Sequence, residues 1–308
     1  MTNKQATSHI LMIRPVNFGF NEETAGSNAF QTKVAENDTV NEKAQQEFDG
    51  MVNKLRNNGV DVIVIDDTPQ PYTPDSIFPN NWVSFHADGN IFLYPMQAEN
   101  RRLERREDII NRIADKFKAN HIIDLSRFEA EGKFLEGTGS MVLDRINKIA
   151  YACISPRTDR EVLALFCSQT GYKEVSFNAV DEHNQAIYHT NVLMCIGSGF
   201  TVICLDSITD DSERNEVVSI LKLTHKEIIV ISFEQMNSFA GNMLEVESKT
   251  GENLIVMSAN AYNSLTDAQR KRLQKYGKLV YADINTIETT GGGSARCMMA
   301  EVHLPVTL

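Results

Sequence analysis

Chemistry is densest at Gly291-Gly292-Gly293-Ser294-Ala295-Arg296-Cys297, followed at once by Met298-Met299-Ala300-Glu301-Val302. Three glycines without Cβ atoms let backbone amides approach a ligand closely. Arg296 adjoins the thiol, and a cationic neighbour lowers a thiol's pKa and raises its thiolate fraction. The apolar run after Cys297 reads as a short buried strand, which would hold the sulfur at a rigid strand start. Cys153, Cys195 and Cys204 lie in apolar strand-like runs and Cys167 ends a helical pattern, so inert packing accounts for those four. Cys297 has a bland reading too, a small hydrophobe after a flexible loop. Its neighbours in the fold have to decide.

The 308 residues are 42% apolar and 23% charged, which gives ample core for a soluble globular protein. A net charge of −11 argues against nucleic acid and against an anionic membrane surface as partners. The basic residues Arg101, Arg102, Arg105 and Arg106 alternate with Glu104 and Glu107, as on a solvated helix face. No apolar run approaches a membrane span, and Met1-Thr2-Asn3-Lys4-Gln5 carries no signal-peptide core. Five scattered cysteines form no disulfide framework, so a cytoplasmic location is expected. Homo-oligomerisation is left open.

One pattern recurs roughly every 50 to 60 residues. Its clearest copy has a strand at 81–85, the turn Asp88-Gly89, a return strand at 91–94, a helix over 99–117 and a strand at 121–125. In that helix Leu103, Ile110, Ile113 and Phe117 fall at helical spacing. The third, fourth and fifth copies repeat the order, with Thr158/Glu161 and Thr266/Gln269 at capping-box spacing. The first copy lacks a first strand, and the last strand, 297–302, lacks a partner. Pairing that C-terminal strand with the N-terminal one at 9–13 completes the set. The expected fold is therefore α/β, a five-fold pseudo-symmetric propeller of ββαβ units, forming a single domain over 1–308.

The loops before the first strands end at Asn80-Asn81, Gly139-Ser140, Thr190-Asn191, Gly241-Asn242 and Arg296-Cys297. Pseudo-symmetry brings them to one mouth, where Glu136 and His189 join Cys297. A thiol, an imidazole and a carboxylate are the parts a thiol-based hydrolase needs.

Leu135-Glu136-Gly137, His189 in Tyr188-His189-Thr190-Asn191, and the glycine loop ending in Arg296-Cys297-Met298 together resemble the guanidine-modifying, or pentein, superfamily. With Ile13-Arg14-Pro15 and Phe78-Pro79-Asn80-Asn81-Trp82, the pattern is most similar to its citrulline utilization hydrolase branch. The resemblance implies a covalent thiol adduct of Cys297 with a guanidino or ureido carbon. It implies His189 as general acid and base, with Glu136 holding His189 or the substrate nitrogens. It calls for no metal and no cofactor. Deiminases of this group hold a guanidinium with carboxylates where this chain has Asn81 and Asn191, so a neutral ureido substrate such as citrulline is expected. Asp75 is a further substrate-binding candidate, with Arg296, and Arg14 is expected to take the amino-acid carboxylate. Arginine deiminase activity, an amidinotransferase and a non-catalytic propeller that binds partners are the alternatives. Trp82 reads as core, and the polar stretch from Asn17 to Asn41 as either a lid or a loop.

Overall fold

Strand β1 (His9–Arg14) runs parallel to β2 (Asp61–Asp66), and α1 (Thr39–Asn57) makes the crossover that a parallel pair requires. The apolar stripe of α1, from Ala44 and Phe48 through Met51, Val52 and Leu55, is buried against this sheet. The computed structural model describes residues 4–33 and 39–307; residues 34–38 of the polar stretch fall outside the described residues.

Four further three-stranded sheets repeat one order. They are β3 (Val83–Phe85), β4 (Asn90–Leu93) and β5 (His121–Asp124); β6 (Val142–Asp144), β7 (Ile149–Cys153) and β8 (Lys173–Phe177); β9 (Met194–Ile196), β10 (Phe200–Ile203) and β11 (Glu227–Val230); and β12 (Leu244–Glu247), β13 (Asn253–Ser258) and β14 (Lys278–Ala282). In each, the first strand is antiparallel to the second and the third is parallel to it. The last strand, β15 (Ala300–Glu301), pairs antiparallel with β1, Ile10 opposite Glu301 and Leu11 opposite Ala300. The C-terminus thus supplies the missing first strand, as the repeat required. First strands of different sheets also touch: β3 meets β15, and β9 meets both β6 and β12.

The expected helix over 99–117 is broken into α2 (Glu99–Arg102) and α3 (Glu107–Ala114). Ile110, Ile113 and Phe117 are core, but Leu103 is 50% exposed. Arg101 and Glu104 turn inward instead and are only 2% and 3% exposed, so this is no solvated face. Their mutual ion pair, with Arg101 Nε donating to Glu104 Oε1 at 2.9 Å, makes that burial affordable.

One-turn helix α4 (Gly137–Ser140) leads into β6, α5 (Arg160–Thr170) crosses to β8, α6 (Thr190–Leu193) leads into β9, and α7 (Asp211–Leu223) crosses to β11. The N-cap of α5 is Asp159, which accepts from the Glu161 and Val162 amides, not Thr158. The box at Thr266 and Gln269 forms as expected. Trp82 is fully buried. No helix among the described residues is long and apolar enough to cross a membrane.

Candidate active site

Each first strand is preceded by a tight turn, and successive turns dock on one another through glycines and short polar side chains. Gly137 has φ +49°, and a Cβ there would sit 2.3 Å from the Asn80 carbonyl oxygen. A Cβ on Gly241 would sit 2.3 Å from the Val192 oxygen. Thr190 Oγ1 donates to the Ser140 carbonyl at 2.6 Å, and Asn242 Nδ2 donates to the Asn191 carbonyl at 2.9 Å. The Arg296 amide donates to Asn242 Oδ1 at 2.9 Å. Under the glycine loop lies the Phe78 ring, within 2.9 Å of where Cβ atoms on Gly291 and Gly293 would be. The expected strand starts at 191 and 297 are therefore a helical turn and a hydrogen-bonded turn, and the strands begin later, at Met194 and Ala300.

Glu136 stands at the N-terminal boundary of α4 and His189 at that of α6, with both side chains turned to each other and not to the helix amides. Both are buried, and His189 Nε2 donates to Glu136 Oε2 at 2.8 Å. The other carboxylate oxygen accepts from the Gln97 amide at 3.0 Å, and Arg157 Nη1 lies 3.5 Å from Oε2. Burial alone would raise the Glu136 pKa. The Arg157 charge and the His189 bond outweigh it and hold the carboxyl well below its usual range. Burial brings His189 down to about 4 against the pull of Glu136, so the imidazole is neutral near pH 7. With its proton on Nε2, its Nδ1 is left with a lone pair.

The Cys297 sulfur is the meeting point of two amides: Asn242 Nδ2 at 3.3 Å and Asn191 Nδ2 at 3.4 Å. Among the described residues no other cysteine has side-chain amides on its sulfur, and where backbone amides approach Cys195 and Cys204, burial outweighs them. Burial pushes Cys153, Cys167 and Cys195 up to about 12 and Cys204 to about 11, so they remain thiols at neutral pH.

Asn81 and Asp75 lie beside two buried arginines that the sequence did not single out. Arg101 Nη1 donates to Asn81 Oδ1 at 2.9 Å, and Arg101 Nε is 3.9 Å from Asp75 Oδ2. Asp75 Oδ2 accepts from Asn21 Nδ2 at 2.7 Å, while burial raises the Asp75 pKa against Arg101 and Asn21. Burial likewise brings Glu104 up to about 7 despite Arg101. Arg157 donates to Ser27 Oγ at 2.6 Å and to the Thr24 carbonyl, tying the loop through 24–27 to Glu136, and stacks 4.9 Å over the Tyr188 ring. Asp75 Oδ1, Asn81 Nδ2 and Asn191 Oδ1 are buried without a hydrogen-bond partner. Of these, Asn191 adjoins the thiol and Asn81 lies across Gly139 from the His189 ring, and unpaired buried polar atoms of this kind mark a place for a polar ligand.

Two expected substrate contacts are elsewhere. Arg14 makes a bidentate pair with Asp49 of α1, at 2.8 and 2.9 Å, because the β1 terminus aims it at that helix. Arg296 turns its guanidinium to Glu301 at 2.9 Å and to the Met299 carbonyl at 2.8 Å. Its backbone amide makes the direct contact with the site, while its guanidinium, paired with Glu301, stays within electrostatic reach of Cys297. Among the described residues no group of His, Cys, Asp and Glu could hold a metal ion.

The five repeated sheets and a match to a family model make the chain a pentein, one of the guanidino-modifying enzymes. More narrowly, the chain belongs to the family described as N,N dimethylarginine dimethylhydrolase, eukaryotic, whose model matches residues 14–304. Among solved structures it is similar to the N-terminal domain of ArgZ, an arginine dihydrolase from the ornithine-ammonia cycle in cyanobacteria, solved as a mutant bound to substrate. That match has a TM-score of 0.73 at 17% identity and covers 97% of this chain and 99% of that one. A mutant of AgrE in complex with L-arginine matches at 0.72 and 19%, covering 97% of this chain and 40% of that one. A mutant DDAH from Pseudomonas aeruginosa complexed with citrulline matches at 0.67 and 15%, over 98% and 100%. No curated protein sequence matches the chain.

Proposed function

We propose that the chain is a cysteine hydrolase that cleaves the ureido C–N bond of citrulline or a close relative through a carbamoyl-thiol adduct on Cys297. The observation that carries the ureido reading is the Arg101–Asn81 bond at 2.9 Å. A guanidinium group can only donate, so it fixes Oδ1 of Asn81 and leaves Nδ2 as the free group. A donor there suits a carbonyl oxygen and repels a guanidinium, whose nitrogens offer only N–H. It also stabilises negative charge developing on that oxygen in the transition state.

In the proposed reaction Cys297 Sγ attacks the ureido carbon and His189 Nδ1 takes the thiol proton. The bond to the side-chain nitrogen of the substrate breaks as His189 returns a proton to that nitrogen, releasing ornithine and leaving a carbamoyl group on sulfur. His189 then deprotonates water, which attacks the carbamoyl carbon; the thiol leaves, and the carbamate decomposes to ammonia and carbon dioxide. Glu136 keeps the Nε2 proton in place and steadies the imidazolium between steps. Asp75 Oδ1, buried and unpartnered, is assigned to the α-amino group. No cofactor enters. The arrangement follows from a five-bladed propeller in which all five turns share one mouth, a reading supported by the β1–β15 pairing. We place the enzyme in the cytoplasm.

Assays of citrulline, arginine, agmatine and methylated arginines for ammonia and amino-acid product test the reading. Citrulline is expected to give ornithine, and arginine turned over equally well or better would overturn it. A second reading, hydrolysis of a guanidinium substrate, is favoured by the unpartnered buried carboxylate oxygen of Asp75. Transfer of the amidino group of arginine to added glycine in place of water would instead make the chain an amidinotransferase.

A further inference from the structure

Asn242 has no role in the reaction as written so far, yet its amide is more tightly specified than any other in the site. We propose that Asn242 is a catalytic residue whose side-chain N–H stabilises the Cys297 sulfur as the thiolate that forms when its proton leaves for His189. The inference rests on the reading of Cys297 as nucleophile.

The orientation of this amide follows from elementary donor and acceptor chemistry. The Arg296 backbone N–H can only donate, so the atom 2.9 Å from it must be Oδ1. Nδ2 is thereby turned to the Asn191 carbonyl at 2.9 Å and to the sulfur at 3.3 Å. A half-turn of the amide would set oxygen against oxygen and N–H against N–H. Asn191 is different: its Nδ2 reaches the sulfur at 3.4 Å, but its Oδ1 has no partner. Asn191 is free to turn toward a substrate; Asn242 is not.

The sulfur's protonation states meet different partners. As a thiol it has Asn242 Oδ1 at 3.7 Å, an acceptor already engaged by Arg296. As a thiolate it gains two donors at shorter distances, and hydrogen bonds to a charged acceptor are the stronger kind. The titratable groups near it are Tyr188 and His189 on the α6 side and Arg296 on its own turn. Tyr188 stays neutral because burial pushes its hydroxyl far up, and the Arg296 guanidinium is drawn away by Glu301. The turn carrying Asn242 brings no charge. It is set by Phe239 at φ 61° and by Gly241, whose missing Cβ lets the turn seat on Val192.

The test is the pH dependence of Cys297 alkylation by iodoacetamide in the whole chain without substrate. Asn242→Asp keeps the acceptor for Arg296 and puts an oxygen where the donor was. Its alkylation midpoint is expected to rise by about one pH unit or more, with an about tenfold or greater loss of rate at pH 7. Asn242→Ala, which removes the donor without adding charge, is expected to shift the midpoint the same way. In both, citrulline turnover falls through kcat and not KM. An unchanged midpoint in either variant, with its melting transition intact, overturns the proposal. Because alkylation needs no turnover, a shifted midpoint in a protein inert to every ureido and guanidino compound would uphold the thiolate donor and reject the reaction.

Discussion

The imidazole of His189 and the carboxylate of Glu136 meet at 2.8 Å in the interior, although 53 residues separate them in the chain. The pair exists because α4 and α6 dock edge to edge over Gly139, where a Cβ would lie 2.4 Å from Asn81 Nδ2 and 2.8 Å from His189 Nδ1. Gly139→Ala therefore pushes on two site groups at once. Misplacement of that kind costs about 100-fold in rate, while folding should lose only about 1–3 kcal/mol. Parallel measurements of kcat for citrulline and of the urea midpoint separate the two effects. A variant as active as the parent would mean that the α4–α6 contact does not position the chemistry.

Acid stability carries the signature of the same imidazole. Burial lowers His189 from 6.5 to about 4, so the folded chain refuses a proton that the unfolded chain binds. Its contribution to stability is at its best above pH 6.5 and is lost as pH falls from there toward about 4. In His189→Gln that loss disappears. The melting temperature of the variant relative to the parent should thus improve as pH falls through this window. A constant offset across it would show that His189 titrates normally.

Cysteine chemistry should be selective. Four thiols are held protonated by burial, and among the described residues only the sulfur of Cys297 has side-chain amide donors facing it. Brief iodoacetamide treatment of the native protein near neutral pH, read by peptide mass, should label Cys297 alone. Cys297→Ala should abolish the fast phase. Comparable labelling of Cys167 or Cys204 would remove the case for an activated thiol and favour the non-catalytic reading.

Substrate choice is expected to turn on Asn81. Asn81→Asp forms an ion pair with Arg101 and loses the donor aimed at the ureido oxygen. Loss of one such donor costs about 100- to 1,000-fold in kcat, so citrulline turnover should collapse while the ratio of arginine to citrulline turnover rises. Steady-state kinetics on both compounds decide it. An unaltered ratio would place the ureido group elsewhere.

Much of this was legible in the residues. Period-two apolar runs separated by turn signals gave the strands, and a first unit lacking a strand pointed to the pairing of β15 with β1. Glu136, His189, Asn191 and Cys297 were visible because each sits just ahead of a first strand. Arg101 was hidden by its own partner: an Arg–Glu pair at i,i+3 reads as a surface feature, and only the break between α2 and α3 turns both inward. Arg157 follows Pro156 in a loop with no periodic signal. The orientation of Asn242 depends on a backbone amide 54 residues away, which no spacing reveals. Arg14 and Arg296 misled because charge near a site in sequence says nothing about where the side chain finds its carboxylate.

The most direct test is the intact mass of the protein quenched in acid during citrulline turnover. A population heavier by one carbamoyl group, mapped to Cys297 and missing from Cys297→Ser, is the expected result. Steady ornithine release with no adduct at any quench time, or undiminished turnover in Cys297→Ser, would contradict it.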